Sequence, residues 1–288
     1  MSTRPPPSAL AASDRGHGPY IWRFSPLERV LHVMVIVSFF GLVMTGVPLH
    51  FSHEPWAAFI IRLHGGVETA GVIHRICAVV TFAYFFTHIG FLIRKFLKSS
   101  DRRRLLWGPD SMVPQPKDVR DLFLMMKWFV GLGPPPRFDR FSYLEKFDYW
   151  AVFWGIAVIG GSGLLLWFPE FFAQWVPGWA FNVATIVHGD EALLALVFIF
   201  TIHFFNGQLR PEKFPLDLVI FTGRATKEYM EDEHPLEVDR LKHTGVLEQR
   251  VAPPPPQGLY VAAAIFGAGA ILIGLTIAGL VIWASFFK

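Results

Sequence analysis

Two apolar stretches of this sequence each carry a histidine near both ends. One is HRICAVVTFAYFFTH, from His74 to His88; the other is VHGDEALLALVFIFTIHFFN, with His188 and His203. On an α-helix rising about 1.5 Å and turning about 100° per residue, each pair lies roughly 21–22 Å apart along the axis. The same geometry keeps the members of a pair within about 40–60° of each other around the helix. That separation covers most of a hydrocarbon core about 30 Å thick. The two helices therefore offer one imidazole apiece at each of two membrane depths. Ionisable groups inside a bilayer are costly and are functional by default, and imidazole is a standard axial ligand of haem iron. Two stacked haems clamped between helices are the chemistry these residues suggest. A lone intramembrane histidine more often hydrogen-bonds a neighbouring helix; the matched depths carry the haem reading, not any single residue.

The elements that must position these residues are membrane spans. Of 288 residues 52% are hydrophobic, the mean hydropathy is +0.39, and the apolar residues fall in long blocks. A soluble globule is excluded. The pI near 9.0 reflects basic residues that follow the loops, which points to membrane topology and away from nucleic acid. The only cysteine is Cys77, which excludes an intramolecular disulfide, a thiolate iron–sulfur cluster and covalent CxxCH attachment. Any haem is therefore b-type, held by histidines and packing.

Five runs are long enough to span, at about 29–48, 71–95, 148–168, 183–206 and 259–286. Lys and Arg crowd the N-terminal segment, the 97–146 connection and the 207–258 segment, while 49–70 holds only Arg62 and 169–182 holds neither. The positive-inside rule puts the N-terminus and the two long segments in the cytoplasm and the C-terminus outside. On that orientation His74 and His188 open their helices on the outer side. His32, His88 and His203 lie toward the inner side.

The predicted architecture is an all-α membrane protein. A four-helix transmembrane haem-binding bundle fills residues 23–206, and a fifth C-terminal transmembrane helix lies within 259–288. Residues 1–22 lack the apolar core of a signal peptide and read as a disordered cytoplasmic tail. Within loop 97–146, DVRDLFLMMKWFVGLG puts Leu122, Phe123, Met126, Phe129 and Val130 on one face of an interfacial helix. Segment 207–258 reads as a solvated cytoplasmic stretch ending in a stiff PPPP linker. Glycines 41, 46, 155, 160, 161 and 163 suit close approach of a flat macrocycle, or ordinary small-residue packing. His50, His53 and His64 read as outer-surface residues, and His17, His234 and His243 as solvated. Asp190 and Glu191 read as cap residues or partners of Arg75.

The stretch RFSPLERVLHVMVIVSFFGLVMTGVPLHF resembles the first helix of the cytochrome b subunits of membrane-bound formate dehydrogenases and uptake hydrogenases. The shared positions are Arg23, Phe24, Glu28, Arg29, His32, Thr45, Gly46 and Pro48. GVIHRICAV is similar to that family's second helix, and 187–206 to its fourth; the likeness covers roughly 20–206. The resemblance implies a diheme core in a bacterial inner membrane, passing electrons between the quinone pool and a periplasmic redox subunit, an iron–sulfur protein or multihaem cytochrome c. It implies His74 and His188 as ligands of the outer haem b, and His32 with His203 for the inner one. Spacing alone pairs His88 with His203 instead, so either one of the two is a spectator or a third haem exists. Where the family carries a Tyr-Asn-Ala-Gly-Gln-Lys stretch at its quinone pocket, this chain has YLEKFD over 143–148. Lys146, Asp148, Tyr149 and Asn206 remain as candidate quinone contacts.

The function expected is that of an electron-transfer subunit of a quinone-linked oxidoreductase complex rather than a complete enzyme. Two other classes compete with it. A proton-relay transporter would use the same histidines, but the histidines cluster at two depths and line no continuous path. A cofactor-free anchor for a periplasmic enzyme would leave five intramembrane histidines without a purpose.

Overall fold

The computed structural model describes residues 19–287. The protein is an all-α, multi-pass membrane protein. Among the described residues five helices are long and apolar enough to span: α1 (Pro26–His50), α3 (Val67–Lys98), α6 (Tyr143–Trp167), α7 (Trp179–Leu209) and α10 (Gln257–Phe286). The chain divides into two compact units.

The membrane unit comprises residues 30–98, 147–217 and 264–288. Its buried core joins Val43 and Val47 of α1, Leu196, Phe200 and Phe204 of α7, and Ile277, Ala278 and Val281 of α10. Small residues let these helices approach closely, which matters in lipid because apolar burial drives no association there. A Cβ on Gly274 would sit 2.7 Å from Phe200 and 2.8 Å from Phe204, and one on Gly267 would sit 3.2 Å from Leu216. The charge-free fifth span is thus packed on the bundle through one face. Gly41 makes room for the Cys77 thiol in the same way. Outward-facing Val72, Ile76, Val79 and Phe86 of α3 are each more than half exposed, as lipid-facing side chains are.

Two features of this unit were not expected from hydropathy. A short helix, α2 (Pro55–Leu63), lies in the 49–70 connection, with Ala57 and Ile60 in the core. Helices α3 and α7 also start earlier than their apolar runs, at Val67 and Trp179. His74 and His188 therefore sit two or more turns inside their helices rather than opening them. Asp190 and Glu191 lie deeper still, so neither caps α7. Helix ends follow local chain geometry, here the positive-φ pair Gly65 and Gly66 before α3, and not the hydropathy alone.

The second unit comprises 99–146 and 218–263 together with the segment before Val30. Three short strands, β1 (Tyr20–Trp22), β2 (Arg224–Thr226) and β3 (Val251–Ala252), form an antiparallel sheet in the order β2-β1-β3. Tyr20 pairs with Thr226 on one side and Ala252 on the other. Ile21, Ala225, Met230 and Val238 are buried against it. The tail expected over 1–22 lies outside the described residues up to position 18, as does His17; its last three residues are strand.

This packing corrects the solvated reading of 207–258. Met230 of helix α8 (Lys227–Glu233), Glu237 of helix α9 (Pro235–His243) and His234 between them are each 2% exposed or less. Glu237 accepts from Arg23 Nη1 at 3.1 Å, Arg140 Nη1 at 3.0 Å and Arg250 Nη1 at 3.4 Å. Arg23 also donates to the Arg140 carbonyl at 2.8 Å and to His234 Nε2 at 2.8 Å. A guanidinium only donates, so His234 accepts at Nε2 and gives its Nδ1 proton to the Asp139 carbonyl at 2.7 Å. His234, expected to be solvated, is a buried, neutral acceptor. Buried charges are tolerated when each is paired and hydrogen-bonded, and these pairings bridge residues up to 214 positions apart. No local pattern in the sequence announces them.

Candidate functional site

His74 on α3 and His188 on α7 come together in the membrane unit. Their ring centroids are 6.2 Å apart and their planes are inclined at 64°. Each ring is gripped through Nδ1. Thr45 gives its hydroxyl hydrogen to the Gly41 carbonyl at 2.6 Å, leaving its oxygen to accept from His74 Nδ1 at 2.9 Å. His188 Nδ1 donates to the Ile159 carbonyl at 2.9 Å, with Ser162 Oγ at 3.4 Å.

That carbonyl belongs to a π-helical turn, Ile156–Gly160, within α6. A π turn interrupts the regular i→i+4 ladder, and such turns gather at functional places. Both imidazoles are thereby set as Nδ1–H tautomers with the Nε2 lone pair unused, the form in which a histidine ligates a metal while its other nitrogen is oriented by an outer partner.

Glycines complete the arrangement. A Cβ on Gly46 would stand 3.2 Å from His74 Cε1, and one on Gly163 would stand 3.0 Å from His188 Cε1. Each ring lies against bare backbone of a neighbouring helix. The other glycines of the same helices serve elsewhere: a Cβ on Gly160 would meet Phe82, and Gly161 has nothing within 4 Å.

The fit to a haem can be tested on this pair. An imidazole–metal bond is about 2 Å long, and the ring centroid lies roughly 1 Å behind its nitrogen, so two imidazoles facing each other across one metal ion have centroids about 6 Å apart. The observed 6.2 Å meets that requirement, and the donor set is the one a b-type haem takes.

The second group is built differently. His203 ends a π-helical turn, Ile199–His203, with another at Phe205–Leu209. Its Nδ1 donates to Asp148 Oδ2 of α6 at 2.8 Å, so it too keeps Nε2 unused. His32 of α1 belongs to the same compact unit as His203. His88 instead meets Tyr149, with Nε2 2.8 Å from the phenol oxygen. Its ring packs on Phe153, centroid to centroid 6.3 Å. In this conformation His88 uses at Nε2 the nitrogen that His74, His188 and His203 leave unused.

Of the four candidate quinone contacts, Asp148 and Tyr149 are therefore engaged with His203 and His88. Lys146 belongs to the other compact unit, where it is buried and bonded to both carboxylate oxygens of Asp118, at 2.9 and 3.0 Å. The lysine is neutralised by a carboxylate from a distant loop, a partner that 143–149 alone could not reveal. Asn206 lies half-buried in the Phe205–Leu209 turn.

Among the outer-connection histidines, His50 and His53 are exposed, and His64 is tied through Nδ1 to the Ile60 carbonyl at 2.8 Å. A Cβ on Gly189 would stand 3.4 Å from His50 Nδ1, so His50 borders the residue next to His188. Sequence reading missed this neighbour; the glycine directly after His188 is the one signal of a close approach there. The segment NGQLRPEKFPLD, residues 206–217, is closed on itself. Gln208 accepts from the Asp217 amide at 2.7 Å and donates to its carbonyl at 3.3 Å, closing the loop that seats Leu216 on Gly267. Among the described residues no three His, Cys, Asp or Glu side chains converge as a metal-ion cluster.

A scan against protein-family models finds no match to this chain, and a search of curated proteins finds none.

Proposed function

We propose that this chain is a membrane-integral b-type cytochrome, the electron-carrying subunit of a respiratory oxidoreductase complex. The observation that carries the reading is the His74–His188 pair, with ring centroids 6.2 Å apart and both Nδ1 protons committed to fixed acceptors. His74 and His188 would hold one haem b, and His32 with His203 a second. When bound, haem supplies reversible one-electron chemistry at iron. The chain's own residues hold the ligands in one tautomer, exclude water with Phe and Leu side chains, and place a carboxylate, Asp148, on the far nitrogen of His203. That carboxylate gives the second site a group able to keep or release a proton as the local charge changes.

The electron path proposed runs between a periplasmic redox subunit at the His74–His188 end and quinone at the His203 end. The loop distribution of Lys and Arg supports a cytoplasmic N-terminus and a periplasmic C-terminus in a bacterial inner membrane. Asp148, Tyr149 and His88 are the polar groups near which a quinone would exchange protons.

A proton-relay transporter draws on the hydrogen bonds from His203 to Asp148 and from His88 to Tyr149. It leaves unexplained why both Nδ1 protons of the His74–His188 pair go to a hydroxyl and a backbone carbonyl and neither to an ionisable group. The deciding experiment is a reduced-minus-oxidised visible spectrum of the purified chain with pyridine-haemochrome quantitation. Two b haems per chain are expected. None, in protein made with ample haem, would overturn the cytochrome reading in favour of the transporter or a bare anchor.

A further inference from the structure

Helix α4 (Arg102–Trp107) leads into α5 (Pro116–Phe129), and α5 is turned inside out relative to the surface helix of a soluble protein. Its acids face inward. Asp121 is 4% exposed and paired with Lys117, and Asp118 both closes the capping box at Gln115 and holds Lys146. Its apolar residues face outward: Phe123, Met126 and Val130 are 59%, 56% and 69% exposed. At about 100° per residue these three cluster on one face, and Arg120 and Lys127 fall together along its edge, away from the acids. Both cations are exposed.

Water is the wrong solvent for such a face, since contiguous exposed apolar patches mark an interaction surface. Chain connectivity limits what that surface can be. The loop carrying α5 leaves one span at Lys98 and enters the next at Tyr143, so both of its ends are held at the bilayer. An apolar face bordered by cations matches a membrane interface in which aliphatic and aromatic groups enter the acyl boundary and basic groups meet lipid phosphates.

We infer that α5 is a lipid-binding element whose face Phe123–Met126–Val130 enters the bilayer interface and whose Arg120 and Lys127 bind anionic phospholipid headgroups. This arm holds with or without haem. It makes the loop a sensor of lipid charge placed in the same segment that holds Lys146.

The test uses the full-length chain in nanodiscs of phosphatidylcholine alone or mixed with phosphatidylglycerol. A Cys77→Ser background carries an environment-sensitive fluorophore at Met126→Cys, with exposed Glu248→Cys as the reference position. If that background does not fold, Cys77 is kept and the labelling of the unaltered chain is subtracted. The expected result is blue-shifted emission at position 126 and quenching by spin-labelled lipid at least about twofold stronger than at 248. Quenching should be stronger in the anionic discs, and the double variant R120Q/K127Q should lower it about twofold there. Quenching at 126 by aqueous iodide instead of lipid would overturn the proposal. Protection from both quenchers, the mark of a covering protein, would overturn it as well. Equal quenching in both discs with no effect of R120Q/K127Q would overturn the headgroup assignment.

Discussion

The His74–His188 pair and the His203 group present the same side chain at two depths, and the protein treats them differently. At the first, each Nδ1 rests on a neutral acceptor: the Thr45 hydroxyl for His74 and the Ile159 carbonyl for His188. Two glycines give the rings bare backbone to lie on. At the second, His203 is held by the carboxylate of Asp148, and His88 by the phenol of Tyr149. A ligand fixed by neutral groups has its orientation set and little else; one fixed by an ionisable group ties electron gain to proton gain. The first arrangement suits transfer of electrons alone, and the second suits exchange with a carrier that also takes up protons.

On the proposed function, the largest effect is expected from removing a proposed haem ligand. His74→Ala or His188→Ala should lower haem from two per chain to one and leave the His203 haem in place, read by pyridine haemochrome and low-temperature spectra. His88→Phe in the same assay should leave two haems, because its Nε2 is occupied by Tyr149. Loss of a haem in His88→Phe, with none lost in His32→Ala, would reverse the inner assignment.

Next in size is the proton coupling. A reduced iron carries one positive charge fewer, so reduction favours a protonated neighbour and the potential falls as pH rises. A one-electron, one-proton couple moves by up to about 59 mV per pH unit. Potentiometry of Asp148→Asn should show that slope diminished at the His203 haem and no change at the other. Equal slopes at both haems in the unaltered protein would break the comparison.

Smaller effects probe the grip on the first pair. Gly163→Ala introduces a Cβ 3.0 Å from His188 Cε1, forcing the ring to give by a few tenths of an ångström. Overpacking of this kind costs about 1 kcal/mol or more; the expected readout is a shifted electron paramagnetic resonance signal from the His74–His188 haem alone. Thr45→Val removes the hydroxyl that accepts from His74 Nδ1. Loss of an outer hydrogen bond to a ligand lowers affinity about tenfold at the mild end, and haem-retention assays under dilution should show that or less.

Much of the membrane unit was legible because lipid imposes a strong, one-dimensional code. Spans must be long and apolar, so five runs marked five helices, and His74 and His188 stood out as the exceptions within them. The ends of those helices were less legible. Gly65, Gly66 and the start at Trp179 are set by turns, and α2 hid in a connection of ordinary composition. The second unit was misjudged for a different reason. His234 and the charged residues of 207–258 read as solvent-facing because burial of a charge depends on partners, and Arg140 and Arg23, which hold Glu237, lie 97 and 214 positions from it.

By itself, then, the sequence determined that the chain crosses a membrane, which way its loops are charged, and that two spans each carry two histidines fourteen or fifteen residues apart. Those follow from hydropathy and from the fixed rise and turn of a helix. Only the tertiary structure decided which nitrogen His74, His188 and His203 commit to a partner, that His88 turns to Tyr149, and that Lys146 is consumed by Asp118. Such choices rest on contacts of a few ångströms between separate helices, and a periodicity along one chain carries no record of them.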